Sequence, residues 1–160
     1  MTLLAIDPGN IESAYVLIQD DYTILQKGKV INEELLNLVK KGEYDRIAVE
    51  MVACYGMPVG REVFDTCVWI GRFTEAAKVE VDYVYRQEEK LLLCNSVRAK
   101  DTNIRQALID RFARFDFKNG KGTKKNPDVF YGFKSDMWAA MAVGVTYLDK
   151  LNDERRKQNA

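Results

Sequence analysis

Histidine is absent from this sequence. A Ser-His-Asp triad is therefore excluded, as is any nuclease whose general base is an imidazole. Proton transfer must fall to Asp, Glu, Lys, Tyr or a metal-bound water. Cysteine is scarce. Cys54, Cys67 and Cys94 give an odd count, lie far apart and form no zinc motif. They are expected to be reduced thiols in the core or at its boundary. Net charge is missing as well: 24 basic side chains balance 24 acidic ones, which at first argues against a polyanionic partner. No apolar run approaches the ~18 residues of a membrane span. The first apolar stretch, Leu3 to Ile6, is too short for a secretory signal and has no basic flank. The expectation is a cytoplasmic protein with no membrane partner.

What is present suits one domain. The chain has 160 residues and is 47% hydrophobic, enough to fill a single core. That domain is expected over residues 1–151, followed by a frayed polar tail at 152–160. The charge balance hides an asymmetry. Residues 86–125 carry eleven basic and five acidic side chains, a local charge of +6, so the remainder sums to −6. A polarised chain can offer phosphates a basic face while staying neutral overall, although a charge-rich helix and loop reads the same way.

The first half reads as strands. Residues 2–7 form a short apolar run ended by Pro8-Gly9. Residues 13–19 and 23–31 suggest a hairpin through Asp20-Asp21. Asn32 reads as the cap of a helix ended by Gly42. Residues 46–52 form a buried-type strand, 61–78 a helix with a broad apolar face, and 79–85 a fifth strand. Residues 87–94 and 102–115 are amphipathic helices. A Lys/Gly/Asn loop at 116–134 has a flexible tip at 118–127. Ser135 caps a last helix at 136–151, whose Ala139, Ala140, Ala142 and Gly144 let it lie close on a sheet. This order predicts an α/β fold, a five-stranded mixed sheet with helices on both faces.

Three acidic residues stand out. Asp7 ends an apolar strand, where a carboxylate is costly unless paired. Alone it is an ordinary turn residue. Glu50 interrupts the buried-type run Ile47-Ala48-Val49-Glu50-Met51-Val52. Alone it fits an edge strand facing solvent. Asp136 opens the last helix, where an acid also suits the helix dipole. Together, two carboxylates at strand ends and one at a helix start can converge at one sheet edge. Mg²⁺ takes such hard oxygen ligands, and a two-metal site of this kind serves phosphodiester hydrolysis.

The stretch Ala5-Ile6-Asp7-Pro8-Gly9-Asn10 resembles the opening of RuvC-type Holliday junction resolvases, of the RNase H-like superfamily. Ile47-Ala48-Val49-Glu50 is similar to that family's second acidic strand. The helix from Asp136 to Thr146 is similar to its C-terminal acidic helix. Arg86-Gln87-Glu88-Glu89-Lys90 and Arg98-Ala99-Lys100-Asp101 resemble its two basic stretches. These stretches run in register over about residues 2–148, with the flavour of the phage-encoded branch. The resemblance implies the RNase H-like fold and a metal-dependent endonuclease for Holliday junctions and other branched DNA. It implies Asp7, Glu50 and Asp136 as metal ligands, with Mg²⁺ as the cofactor. Lys90 and Lys100 are implied near the scissile phosphate. The family's last helix carries a second acid three residues on, and here that position is Ala139. Weaker binding at one metal position, with a preference for Mn²⁺, is the expected consequence.

DNA contacts are expected from Arg86 and Arg98 and from the loop lysines Lys118, Lys121, Lys124 and Lys125, which can follow phosphates without reading sequence. The family places an aromatic wedge three residues after the strand Glu; that position is Ala53, and Tyr55 is the substitute candidate. Paired symmetric cuts require a two-fold dimer. Val63, Phe64, Val68 and Trp69 on the 61–78 helix form either its surface or simply core. Two other readings remain open: a branched-DNA-binding protein with weak or no cleavage, and an RNase H-like nuclease for another nucleic acid.

Overall fold

The computed structural model describes all 160 residues. Strand β1 (Thr2–Asp7) explains why the sheet lies in the middle. Leu3, Leu4, Ala5 and Ile6 are all fully buried. Successive strand side chains point to opposite faces, so Leu3 and Ala5 join one core while Leu4 and Ile6 join another. A run without alternation is what a strand covered on both faces needs.

β2 (Glu12–Gln19) and β3 (Ile24–Ile31) continue as an antiparallel meander. Helix α1 (Asn32–Lys41) then leads to β4 (Arg46–Met51), which pairs in parallel with the free edge of β1. Helix α2 (Arg61–Ala76) leads to β5 (Val81–Tyr85), parallel to β4. The sheet order is β3-β2-β1-β4-β5. Helices α1 and α2 cover the Leu4 and Ile6 face through Leu35, Val39, Ile70 and Phe73. The other face carries α3 (Arg86–Cys94), α4 (Asp101–Phe112) and α5 (Met137–Gln158). The expected mixed sheet with helices on both faces is thus the fold.

Helix α5 packs directly on β1 and β2. A Cβ added to Gly144 would lie 2.9 Å from Ile18 Cδ1 and 3.2 Å from the Ala5 Cβ. Gly144 therefore sets how closely the helix approaches the sheet.

The turn after Asp7 is fixed by buried polar groups. Gly9 N–H donates to Ser13 Oγ at 3.1 Å, and Ser13 Oγ donates to Asn32 Oδ1 at 2.5 Å. Asn32 Nδ2 donates to the Gly9 carbonyl at 2.9 Å. A Cβ on Gly9 would stand 2.2 Å from the Glu12 carbonyl oxygen, so only glycine fits there. Asn32 is therefore not the expected helix cap. Ile31 occupies that position, and the Asn32 side chain is spent on the loop that aims Asp7.

Two further expectations change. Residues 118–127 are not a loose tip. Asp128, buried beneath the loop, accepts backbone N–H groups from Arg114, Phe115, Asp116 and Val129. Burial alone would raise its pKa, but these four donors hold it far below the carboxylate range. Asp116 similarly accepts from Asn119, Lys121 and Gly122. Nor is the tail frayed, because α5 continues to Gln158. Asp149 accepts both guanidinium nitrogens of Arg111 and the Tyr22 hydroxyl. Lys150 pairs with Glu88 at 2.7 Å, and Arg155 reaches Asp20 at 4.0 Å. Of the cysteines, Cys54 and Cys67 are exposed and Cys94 is half-buried. The thiols are free, but two of them lie outside the core.

Candidate functional site

Strand register brings the first two acids together. Ile6 pairs with Val49 across the parallel β1–β4 ladder, so Asp7 and Glu50 follow as neighbours. Asp7 shares the parity of Leu3 and Ala5, and Glu50 that of Ala48, so both project to the face carrying α3, α4 and α5. Glu50 is not an edge residue, because β5 pairs on its far side with Glu50 opposite Val84. Burial chiefly, then the Glu50 charge and a carboxyl–carboxyl contact with it, and then Asp136, push Asp7 up to about 8. Burial, followed by contact with Glu89, raises Glu50 to about 8 as well.

Glu89 joins this group, although no sequence motif points to it. It lies on α3 one turn after Arg86, is 0% exposed, and faces Glu50. Burial is also the main cause raising its own pKa. The one signal for it in the sequence is its spacing. Glu89 stands four residues before the half-buried Leu93, on the inward side of an amphipathic helix. A Glu at an apolar phase is as unusual there as Glu50 is in its strand.

Arg86 has a different place from the one expected. Instead of reaching outward, its guanidinium lies among acids. It stands 3.1 Å from Glu89 and 3.9 Å from Glu50, and also contacts Asp101. Asp136, rather than Ser135, caps α5 and is held by Lys29 of β3 at 2.7 Å. A narrow cleft lined by Arg86, Asp101, Ser135, Asp136, Trp138 and Ala139 opens beside Arg86 and Asp136. Position 139, where the family's further acid is absent, does face this cleft.

Lys90 is half-buried on α3 and Lys100 is exposed at the cap of α4. Neither ammonium pairs with a carboxylate, and the cations actually set among the acids are Arg86 and Lys29. Arg98, Lys118, Lys124 and Lys125 are exposed, and Lys121 is half-buried. None of the five takes part in an ion pair. Tyr55 is exposed on the β4–α2 loop, with a left-handed φ of 49° beside Gly56.

The arrangement is a chain of carboxyls, Asp7 to Glu50 to Glu89, with Asp136 beyond Asp7. No three acids stand around a common point as a ready-made metal centre. The donor set nevertheless fits a hard divalent cation. It is all oxygen, with no His or Cys. Glu50 Oε1 and Glu89 Oε2 are buried acceptors without a donor, a costly state that a cation would relieve.

No protein-family model matches the chain, and no curated protein matches it in sequence. Solved structures do. The chain is similar to Thermus thermophilus RuvC, with a TM-score of 0.66 at 16% identity, over 91% of this chain and 92% of that one. It is also similar to T. thermophilus RuvC in complex with a Holliday junction substrate, with a TM-score of 0.65 at 13% identity and the same coverage. The fold is therefore the RuvC-like, RNase H-like fold. No helix is long and apolar enough to cross a membrane.

Proposed function

We propose that this protein is a divalent-metal-dependent endonuclease that resolves Holliday junctions and related branched DNA. The observation that carries the proposal is the pairing of Asp7 with Glu50 at adjacent strand ends, facing Asp136 within a RuvC-like fold. Asp7, Glu50 and Asp136 would hold Mg²⁺ or Mn²⁺, and such ions supply Lewis acidity and offset charge on the reacting phosphate. The chain's own groups do the rest. Lys90 and Lys100 approach the phosphate from the α3–α4 side. Lys118, Lys121, Lys124 and Lys125, with Arg98, carry the flanking backbone, and Tyr55 offers a ring on which an unpaired base can stack. A homodimer through α2 supplies two sites for paired cuts. The motifs support kinship with the phage-encoded branch, acting in the bacterial cytoplasm where its DNA substrate resides.

The test is incubation with a mobile four-way junction and Mg²⁺. Symmetric paired nicks are expected, falling to below about a hundredth of the wild-type rate in Asp7→Asn. One observation favours a second reading. Ala139 stands in the cleft and Arg86 is lodged among the acids, which suits a protein that binds junctions without cutting them. Tight junction binding with no nicks in Mg²⁺ or Mn²⁺ would select that reading.

A further inference from the structure

Glu89 is buried with no exposed surface, on a helix that could have placed leucine there. One of its oxygens, Oε1, accepts from Arg86. The other, Oε2, has no donor, and neither does Glu50 Oε1. Two buried acceptor oxygens on carboxyls that touch one another, neither with a donor from the rest of the chain, mark a place for a cation. The guanidinium of Arg86 meets this need only in part, because it touches Glu89 closely but lies 3.9 Å from Glu50.

The topology makes this place distinct from Asp136. Asp7 lies on the middle strand. Glu50 and Glu89 lie toward β5 and α3, while Asp136 is held toward β3 by Lys29. The cleft wall where a second acid of α5 would stand is the methyl group of Ala139.

We infer that Glu89 is a metal ligand in this protein, supplying from α3 the carboxylate that α5 lacks at position 139. Asp7 is then shared by two cation positions, one completed by Asp136 and the other by Glu50 and Glu89. Arg86 releases Glu89 when the second position fills. This rests on the metal-dependent reading above, and it removes the expectation that one metal position is weak.

Mn²⁺ binding, followed by titration calorimetry and by the loss of free-ion paramagnetic signal, tests it without reference to cleavage. Wild type is expected to bind two ions. Glu89→Gln, which keeps shape and volume, is expected to lose one site or weaken it at least tenfold, while Asp7→Asn loses both. Two unaltered sites in Glu89→Gln overturn the role of Glu89 and leave the nuclease reading standing. No binding by wild type overturns both. A second measurement needs no variant. Fe²⁺ with ascorbate cleaves a backbone beside the bound ion, and the cuts are mapped by mass spectrometry. Cuts at residues 88–90 together with those near Asp7 and Glu50 are expected. Cuts near Asp7 and Glu50 alone overturn the inference.

Discussion

At the scale of single residues, the site stores a conflict that pH can expose. Asp7 and Glu50 bind protons more readily in the folded protein than in the unfolded chain, at about 8 against ordinary values of 3.8 and 4.5. Their contribution to stability is therefore fully present below those ordinary values. It is lost as pH rises through about 8, where both must ionise side by side. The metal-free protein is expected to melt at a lower temperature at pH 8.5 than at pH 5.5 through this site. Mg²⁺ should restore stability more at the higher pH, because the cation takes the place of the protons. Melting curves in EDTA and in millimolar Mg²⁺ at the two pH values check this; an Mg²⁺ increment that shrinks with pH would contradict it. Asp7 and Glu50 are legible in the sequence because a strand alternates rigidly, so an acid inside a buried strand must face a partner. Glu89 leaves only the faint trace of its phase with Leu93 and Arg86 leaves none, because their direction depends on how α3 is rotated against the sheet. Local sequence does not fix that angle. Nothing near Arg86 in sequence announces that it turns inward to Glu50.

At the scale of elements, the close fit of α5 on the sheet carries the acidic face. Gly144 lets the helix approach Ala5 and Ile18, and Ala5 lies two residues before Asp7 on the same face of β1. Gly144→Val would force helix and strand apart. A destabilisation of about 1–3 kcal/mol is expected, as for overpacking a well-filled core, with weaker metal binding as Asp136 moves from Asp7. Urea unfolding and Mn²⁺ titration of the variant read both effects; an unchanged midpoint would show that the packing there is slack. The small-residue pattern makes this packing readable in advance. The length of α5 is not readable. Residues 152–158 look like a polar tail, yet the helix persists because Asp149, Lys150 and Arg155 are tied to Arg111, Glu88 and Asp20. The 118–127 loop is similar. Its Lys, Gly and Asn content suggests mobility, but Asp116 and Asp128 organise it from within by gathering backbone N–H groups. Composition records which residues are present, whereas these bonds depend on which segments the fold brings alongside.

At the scale of the whole molecule, the two faces of the sheet divide the labour. The basic segment 86–125 builds α3, α4 and the loop that follows, all on the face to which Asp7 and Glu50 project. The negative remainder keeps the molecule neutral. If the loop lysines bind phosphates, changing Lys118, Lys121, Lys124 and Lys125 to Ala should lower the slope of log affinity against log salt by about 0.9 for each phosphate no longer neutralised. Anisotropy titrations of a labelled junction at several salt concentrations measure that slope, and an unchanged slope would remove the loop from the interface. The opposite face belongs to α2. Ile70 and Phe73 point into the core, but Phe64 and Val68 are 60% and 61% exposed, with Met57 and Val59 nearby on the preceding loop. The helix therefore divides its apolar residues between core and surface: Trp69 packs against the core, while Phe64 and Val68 are exposed. A two-fold contact through Phe64 and Val68 would bury that surface and leave both acidic faces open to one junction. Phe64→Asp with Val68→Asp should give a monomer by sedimentation with little change in melting temperature, because neither side chain supports the core. Paired cuts on a four-way junction should become single nicks. A wild-type protein that sediments as a monomer at tens of micromolar would show that this patch serves something other than dimer formation.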